Sequence, residues 1–373
     1  MLYIKPDYYE SFSCVADQCE DTCCAGWKIV VDKDSLQAYK AEKGPFRKEL
    51  HKGVHWRSHT FRQTAGKRCF FLDDKNLCRL YSAIGESGLC QTCDRYPRHI
   101  EEFENVREVS LSVSCPEVAR YLMNRTDPVT FVSEESEEEE NYKDYEEMDF
   151  DVLLYDILDQ GRNVLISILQ NRQESMKVRL EKALHLSANL EEIIEEGNAF
   201  SAFELFDSYE QGDMTYRKRH LAKTMPYSVR VFDRVIRLER LREDWEQLLS
   251  ESASLLYLSG EESYTRISDE FVRWCAEKEN FLEIALEQLA VYFLTTYFCG
   301  SVYDGQILAK TQSCVLFLYV IFELSKACWL KNEKNFDRED LTQIVYRFSR
   351  ELEHSDQNLI LFEKIAAAAL PVC

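Results

Sequence analysis

The chain has 373 residues, 45% of them hydrophobic, with 21 Phe, 20 Tyr and 5 Trp, which is enough apolar material for two domains and excludes an intrinsically disordered chain. Its formal net charge of −21 excludes non-specific affinity for nucleic acid or an anionic membrane surface, because both need a basic face to neutralise phosphates. Of its 14 cysteines, nine fall within the first 115 residues and none between 116 and 274, so composition alone separates a cysteine-rich beginning from a cysteine-poor remainder.

The opening MLYIKPDYYESFSC lacks the basic start and apolar run of a signal peptide, and the longest apolar runs, LAVYFLTTYFC and CVLFLYVIF, read as too short to cross a bilayer. A cytoplasmic protein without membrane insertion is the expectation. Thiols stay reduced in that compartment, so clustered cysteines point to metal binding or chemistry rather than to disulfides.

Cys14, Cys19, Cys23 and Cys24 come first, on what reads as a loop entering a helix, with Cys19 and Cys23 on one face and the adjacent Cys23 and Cys24 diverging. HKGVHWRSH then spaces His51, His55 and His59 by four, but its glycine and polar context favour a surface cluster over a metal face. KRCFFLDDKNLCRLYS puts Cys69 and Cys78 on the two arms of a predicted hairpin. GLCQTCDRYPR presents Cys90 and Cys93 on one tight turn, a spacing by which two sulfurs reach a single metal or cluster. His99, just beyond, is an open candidate for a ligand or for a hydrogen bond to sulfur. REVSLSVSC alternates Val109, Leu111 and Val113 against Ser110, Ser112 and Ser114, and predicts a strand ending at Cys115. The region has too little apolar periodicity to stand alone, and a metal centre would supply what its core lacks. The candidate ligands are Cys14, Cys19, Cys23, Cys24, Cys69, Cys78, Cys90, Cys93 and Cys115. Spacing leaves zinc and iron–sulfur equally open, and nine thiols exceed one four-thiolate site.

Residues 133–149, SEESEEEENYKDYEEMD, carry ten acidic side chains against one lysine, and such a run repels itself. It predicts an acidic linker or loop over 131–150 between a metal-binding domain of residues 1–130 and an all-α domain of residues 151–373. From FDVLLYDILDQGRNVLISILQNR to QSCVLFLYVIFELSKACWL, apolar residues return every three to four positions, which predicts a helical bundle. The fold class is mainly α, with short strands confined to the cysteine-rich part. Cys275, Cys299, Cys314, Cys328 and Cys373 have no ligand-like spacing, and four of them read as small core hydrophobes.

The order Cys14, Cys19, Cys23-Cys24-Ala-Gly-Trp27, then Gly66-Lys-Arg-Cys69, then Leu89-Cys90-Gln-Thr-Cys93 with Tyr96-Pro97-Arg98, then Leu111-Ser-Val-Ser-Cys115-Pro116-Glu117 resembles the flagellin lysine-N-methylase (FliB) family. Its cysteine pattern is in turn related to YkgJ-like zinc- or iron-chelating domains, and EKENFLEIALEQLAVYFLTTYF resembles the family's second half. The resemblance implies methyl transfer from S-adenosylmethionine to lysine ε-amines of flagellin, assisted by a [4Fe–4S] cluster. The residues themselves show neither usual arrangement for that donor. The 12 glycines include no Gly-x-Gly turn, and Cys24 directly after Cys23 breaks the Cys-x3-Cys-x2-Cys spacing of the radical enzymes. Arg95 and Arg98 are the candidates for holding the cofactor, through hydrogen bonds to cluster sulfurs or a bidentate clamp on a carboxylate. Asp94, Tyr96 and Tyr81 lie near enough in sequence to assist deprotonation of the lysine, although an ordinary hydrogen-bonding role suits each of them better. The competing reading is a non-catalytic zinc- or iron-chelating module that binds a protein partner.

Overall fold

The computed structural model describes residues 1–136, 150–212, 224–278 and 280–370. Most of the acidic run, residues 137–149, and Cys373 lie outside the described residues.

The architecture is mainly α. The chain opens with strand β1 (Leu2–Pro6), then runs through a loop-rich segment containing helices α1 (Lys33–Ala41) and α2 (Arg47–Gly53), the short strand pair β2 (Val54–His55) and β3 (Thr60–Phe61), and helices α3 (Arg79–Ile84) and α4 (Gln91–Arg95). Strands β4 (Arg98–Phe103) and β5 (Val106–Leu111), helix α5 (Pro116–Asn124) and strand β6 (Phe131–Glu135) follow. The sheet order is β4-β5-β1-β6, with β1 parallel to β5 and the other pairs antiparallel. A parallel neighbour needs a long crossover, and here the crossover is the whole thiol-bearing segment between β1 and β4.

Among the described residues, eleven helices follow: α6 (Val152–Leu169), α7 (Met176–Glu195), α8 (Ser201–Glu210), α9 (Met225–Val235), α10 (Glu243–Tyr257), α11 (Gly260–Glu277), α12 (Phe281–Tyr297), α13 (Ser301–Asp304), α14 (Ile307–Lys331), α15 (Arg338–Glu353) and α16 (Asp356–Ala369). Helix α14 runs through the centre and packs on α7, α10, α12, α15 and α16. It is apolar all round because it has no solvent face. At 25 residues it is longer than the runs read from sequence and passes a length-and-hydropathy test for a membrane span, but its apolar window is 78% buried inside the bundle. Its Glu323 and Lys326 neutralise each other within that core at 2.6 Å.

The apolar cores do not divide at residue 130. Tyr8, Phe103, Leu111, Val113, Cys115 and α5 belong to the same buried cluster as the bundle helices, while a second, smaller cluster from Ile29 to Cys90 forms the core of the inserted module. Sheet and bundle are also joined by charge. The Glu108 carboxylate of β5 accepts from Arg162 Nη2 of α6 at 2.7 Å and from Tyr155 Oη at 2.9 Å, with both charged side chains almost wholly buried. β6 occupies the first residues of the stretch read as a linker, where its residues pair with β1 from Leu2↔Glu135 to Pro6↔Phe131.

Three local expectations are corrected. The segment after Asp73 does not return as a second hairpin arm: Leu72 and Cys78 form one antiparallel bridge, after which α3 begins. Asp73 drives this by accepting from the backbone N–H groups of Lys75 and Leu77 through its side chain, closing a turn that ends at a helix start. Cys19 and Cys23 are not on a helix, since only the single turn Ala16–Gln18 precedes an irregular run to Asp32. The strand read as ending at Cys115 stops at Leu111, and Ser112 and Ser114 beyond it are as enclosed as Leu111 and Val113, because they contact Glu353 and His354 at the end of α15.

Candidate thiol centre and the polar junction beside it

The module brings five of the nine candidate ligands into one small core. Cys69 and Cys90 are buried in it, and Cys24, Cys78 and Cys93 pack against it. Backbone pairing sets this up: Cys69 N–H donates to Cys24 C=O at 2.7 Å, and the Leu72–Cys78 bridge folds Cys78 back beside Cys69. Cys90 caps α4, whose first turn is anchored by Gln91 N–H donating to Asp32 and Thr92 Oγ1 donating to Val30 C=O. Gly26 sits at φ +96°, where a side chain is strained, and a Cβ would stand 3.3 Å from the Arg242 side chain, so the turn after Cys23-Cys24 requires glycine.

The Cys90 and Cys93 thiols hydrogen-bond to each other, which lowers the Cys90 pKa and raises that of Cys93. Cys93 also feels Cys24 and Cys69, and Cys78 feels Cys90 and Cys23. The Cys23 and Cys24 thiols hydrogen-bond instead of diverging, and this bond, with burial, raises Cys23. Cys19 and Cys115 in turn neighbour Cys23, and burial pushes Cys115 up to about 12 and Cys69 up to about 11. Neighbour by neighbour, these electrostatic influences run from Cys115 through Cys19, Cys23 and Cys24 to Cys93, Cys90, Cys69 and Cys78, a chain of mutual influence and not of continuous contact. Cys14 stands apart, exposed, with its sulfur accepting from Ala16 N–H. Most of the chain favours protonated thiols in the absence of a cation, because burial penalises the thiolate; a bound metal reverses that preference. Among the described residues, no three His, Cys, Asp or Glu side chains close on a point that a single ion would occupy. The donor set is all sulfur, which is the chemistry that both a four-thiolate zinc site and an iron–sulfur cluster use.

The other candidates are dispersed. Arg95 and Arg98 are exposed, and Arg98 lies over the Phe12 ring at 5.7 Å, away from the thiols. Asp94 and Tyr81 are exposed. His51, His55 and His59 are too, with His55 Nδ1 engaged by Ser58 Oγ at 2.7 Å. His99 pairs with Glu101 at 2.8 Å, which outweighs burial and raises its pKa. Of the three proposed assistants, Tyr96 stands at the polar junction with α15.

That junction joins the Cys19–Cys24 loop to the end of α15. Arg350 donates from Nε to Ser114 C=O at 2.8 Å, pairs with Asp21 at 2.7 Å and reaches the Asp21 and Thr22 carbonyls. Next to it, Ser114 Oγ contacts His354 Nε2 at 3.0 Å and Tyr96 Oη at 3.1 Å. The His354 ring lies 4.3 Å from that of Trp27, whose Nε1–H donates to Cys23 C=O at 2.8 Å. Burial, then the neighbouring Arg350, lowers the His354 pKa to about 3 and keeps it neutral. Glu353 accepts on Oε2 from Ser112 Oγ at 2.5 Å and Tyr292 Oη at 2.8 Å, and Ser349 lends the carboxylate a further hydrogen bond. Burial raises the Glu353 pKa. Glu353, His354, Arg350 and Tyr292 escaped sequence reading because they lie in ordinary helix-period segments more than 170 positions beyond Cys115.

Together the inserted crossover and bundle define a class: a thiol-rich module clamped onto a helical body, with titratable groups where they meet. Residues 162–369, α6 to α16 for the most part, match the FliB lysine N-methylase C-terminal domain, and the chain belongs to that family. The flagellar biosynthetic protein FliU of Salmonella muenchen is 30% identical over 141 residues, covering 35% of this chain and 83% of FliU. The lysine-N-methylases of Salmonella typhimurium and Salmonella choleraesuis are each 32% identical over 132 residues, 33% of this chain and 33% of theirs. The match thus spans a third of the length of those two enzymes. No solved structure matches the chain.

Proposed function

We propose that this protein is a cytoplasmic lysine N-methylase that transfers a methyl group from S-adenosylmethionine to lysine ε-amines of flagellin, with a [4Fe–4S] cluster held by thiols of the inserted module. Family membership supports the reaction class. The observation that carries the reading further is that Trp27, which donates to Cys23 C=O in the thiol-bearing loop, lies with its ring 4.3 Å from that of His354, a titratable group inside the family-matched region. Cys24, Cys69, Cys78, Cys90 and Cys93 are the first choice of ligands, with Cys19, Cys23 and Cys115 next along the chain. When bound, the cluster supplies iron that can accept lone pairs from the donor molecule.

The protein's own residues handle the amine. In the transfer, the nitrogen lone pair forms the new C–N bond, the C–S bond breaks with its electrons staying on sulfur, and the sulfonium becomes a neutral thioether. A lysine ammonium must first lose a proton. Glu353 is suited to take it, because burial raises its basicity while Ser112 and Tyr292 fix the carboxylate through Oε2. Neutral His354, held by Ser114, adds a second lone-pair site without repelling an incoming cation. The strongly acidic chain favours encounter with a lysine-bearing surface.

The test is incubation of the anaerobically purified protein with methyl-labelled S-adenosylmethionine and flagellin, locating label on lysine. Glu353→Gln should reduce turnover by roughly 100-fold, the scale of one general base, and leave metal content unchanged. A fully metallated protein that transfers no label would leave the metal-chelating binding module as the better account.

A further inference from the structure

Helices α7, α11, α12 and α14 enclose a cavity of about 540 Å³ on elements other than those carrying the thiols. Its volume is in the range of small-molecule sites, roughly 300 to 1,000 Å³. The walls are apolar, with Leu180, Leu286, Val315, Phe322 and Cys275 among them. The floor is a polar network. Glu323 accepts from Lys326 at 2.6 Å, from Tyr257 at 3.1 Å and from Tyr264 at 3.2 Å. Lys326 also donates to Ser268 at 2.9 Å and stands 4.1 Å from the Tyr264 ring centre. Ser228 links the hydroxyl of Tyr264 to that of the half-buried Tyr319, and both tyrosines line the cavity.

This pattern selects its occupant. The two floor charges cancel, and each proton of the Lys326 ammonium already has a target. A carboxylate or phosphate would bring an unpaired charge into an apolar space, and so would an ammonium, since the Glu323 oxygens are engaged. At the rim, Lys177 faces Glu181 at 3.8 Å and Glu283 is bound by Arg179 at 2.7 Å. A peptide helix, roughly 10 to 12 Å across with side chains, is too large for this space. We infer that the cavity binds a neutral, ring- or chain-bodied small molecule whose single N–H or O–H donor is accepted by the Tyr319 hydroxyl oxygen. S-adenosylmethionine, with a carboxylate, an ammonium and a sulfonium, is the wrong chemistry for it.

N-phenyl-1-naphthylamine, a neutral fused-ring dye with one N–H, is the probe. Added to the full-length, metal-replete protein, it should brighten saturably with one site per chain. Leu286→Trp fills the space and should weaken binding about tenfold or more. Tyr319→Phe keeps the volume and removes the acceptor, and should weaken it roughly fivefold. In the unaltered protein, bound dye should slow alkylation of Cys275 by N-ethylmaleimide, read at that peptide by mass spectrometry, so the test does not depend on whether the filled variant folds. Excess S-adenosylmethionine should leave the signal unchanged. Non-saturable brightening, unchanged Cys275 alkylation, or displacement by S-adenosylmethionine would each overturn the assignment.

Discussion

In the bundle, helix α14 alone buries 17 side chains, whereas the whole core of the inserted module consists of 11 buried residues, two of them cysteines. The bundle also carries buried ion pairs at Arg162–Glu108 and Arg179–Glu287, which a large apolar surround must hold in register. The module has short helices, two-residue strands and turns fixed by Asp32 and Asp73. Area burial can hold the bundle together; the module's core is much smaller, and under the proposed function sulfur ligation adds to its cohesion. The proposed chemistry lies where the two regions meet.

The largest effect that would separate the two regions follows loss of the central thiol pair. Cys93→Ser should abolish metal binding and remove amide-exchange protection across residues 29–90, while the helices α6 to α16 stay protected. Equal metal content in variant and parent would dissolve the distinction.

Next comes Phe71→Ala, which removes a fully buried ring that meets Phe61 edge-on at 5.1 Å. The cost of about 3 to 5 kcal/mol should unfold the module in a step of its own, visible as two transitions in denaturant. A single shifted transition would mean that the module has no separate stability.

Cys314→Ser provides the counterpart in the bundle. Cys314 is 3% exposed and its thiol touches Ala290 C=O at 3.7 Å, so the hydroxyl should cost about 1 to 3 kcal/mol with metal content unchanged. Lost metal in this variant would show that Cys314 had been assigned to the wrong group.

The gentlest probe is pH. Glu351, 2% exposed on α15, is pushed up to about 7 from an ordinary 4.5, chiefly by burial, despite accepting from the N–H of Leu241. Between those values the unfolded chain ionises this carboxyl while the folded chain keeps it protonated. Stability should therefore fall as pH rises through the window, by at most about 1.4 kcal/mol per unit. Glu351→Gln should flatten that slope in thermal melts, and an unaltered slope would remove Glu351 as its cause.

Helix periodicity made the bundle legible in sequence, since amphipathic spacing survives without knowledge of partners. The cysteine spacing likewise singled out Cys90 and Cys93. What could not be read was long-range: that β1 pairs with β5 across the intervening module, and that Glu353 and His354 at the end of α15 return to Ser112 and Ser114 just beyond β5. Local pattern carries no information about pairings this far apart, 104 residues for Leu2↔Val106 and 241 for Ser112 with Glu353. Arg95 and Arg98 were chosen for proximity along the chain, but the turn at Tyr96 sends its ring to the junction while Arg95 is exposed and Arg98 lies over the Phe12 ring.

The most direct measurement is the inorganic content of the protein purified without oxygen. The account predicts iron and acid-labile sulfide in equal amounts with a broad visible absorption, both lost in Cys93→Ser and kept in Cys314→Ser. Stoichiometric zinc with no sulfide, or iron that survives replacement of Cys93, would contradict it.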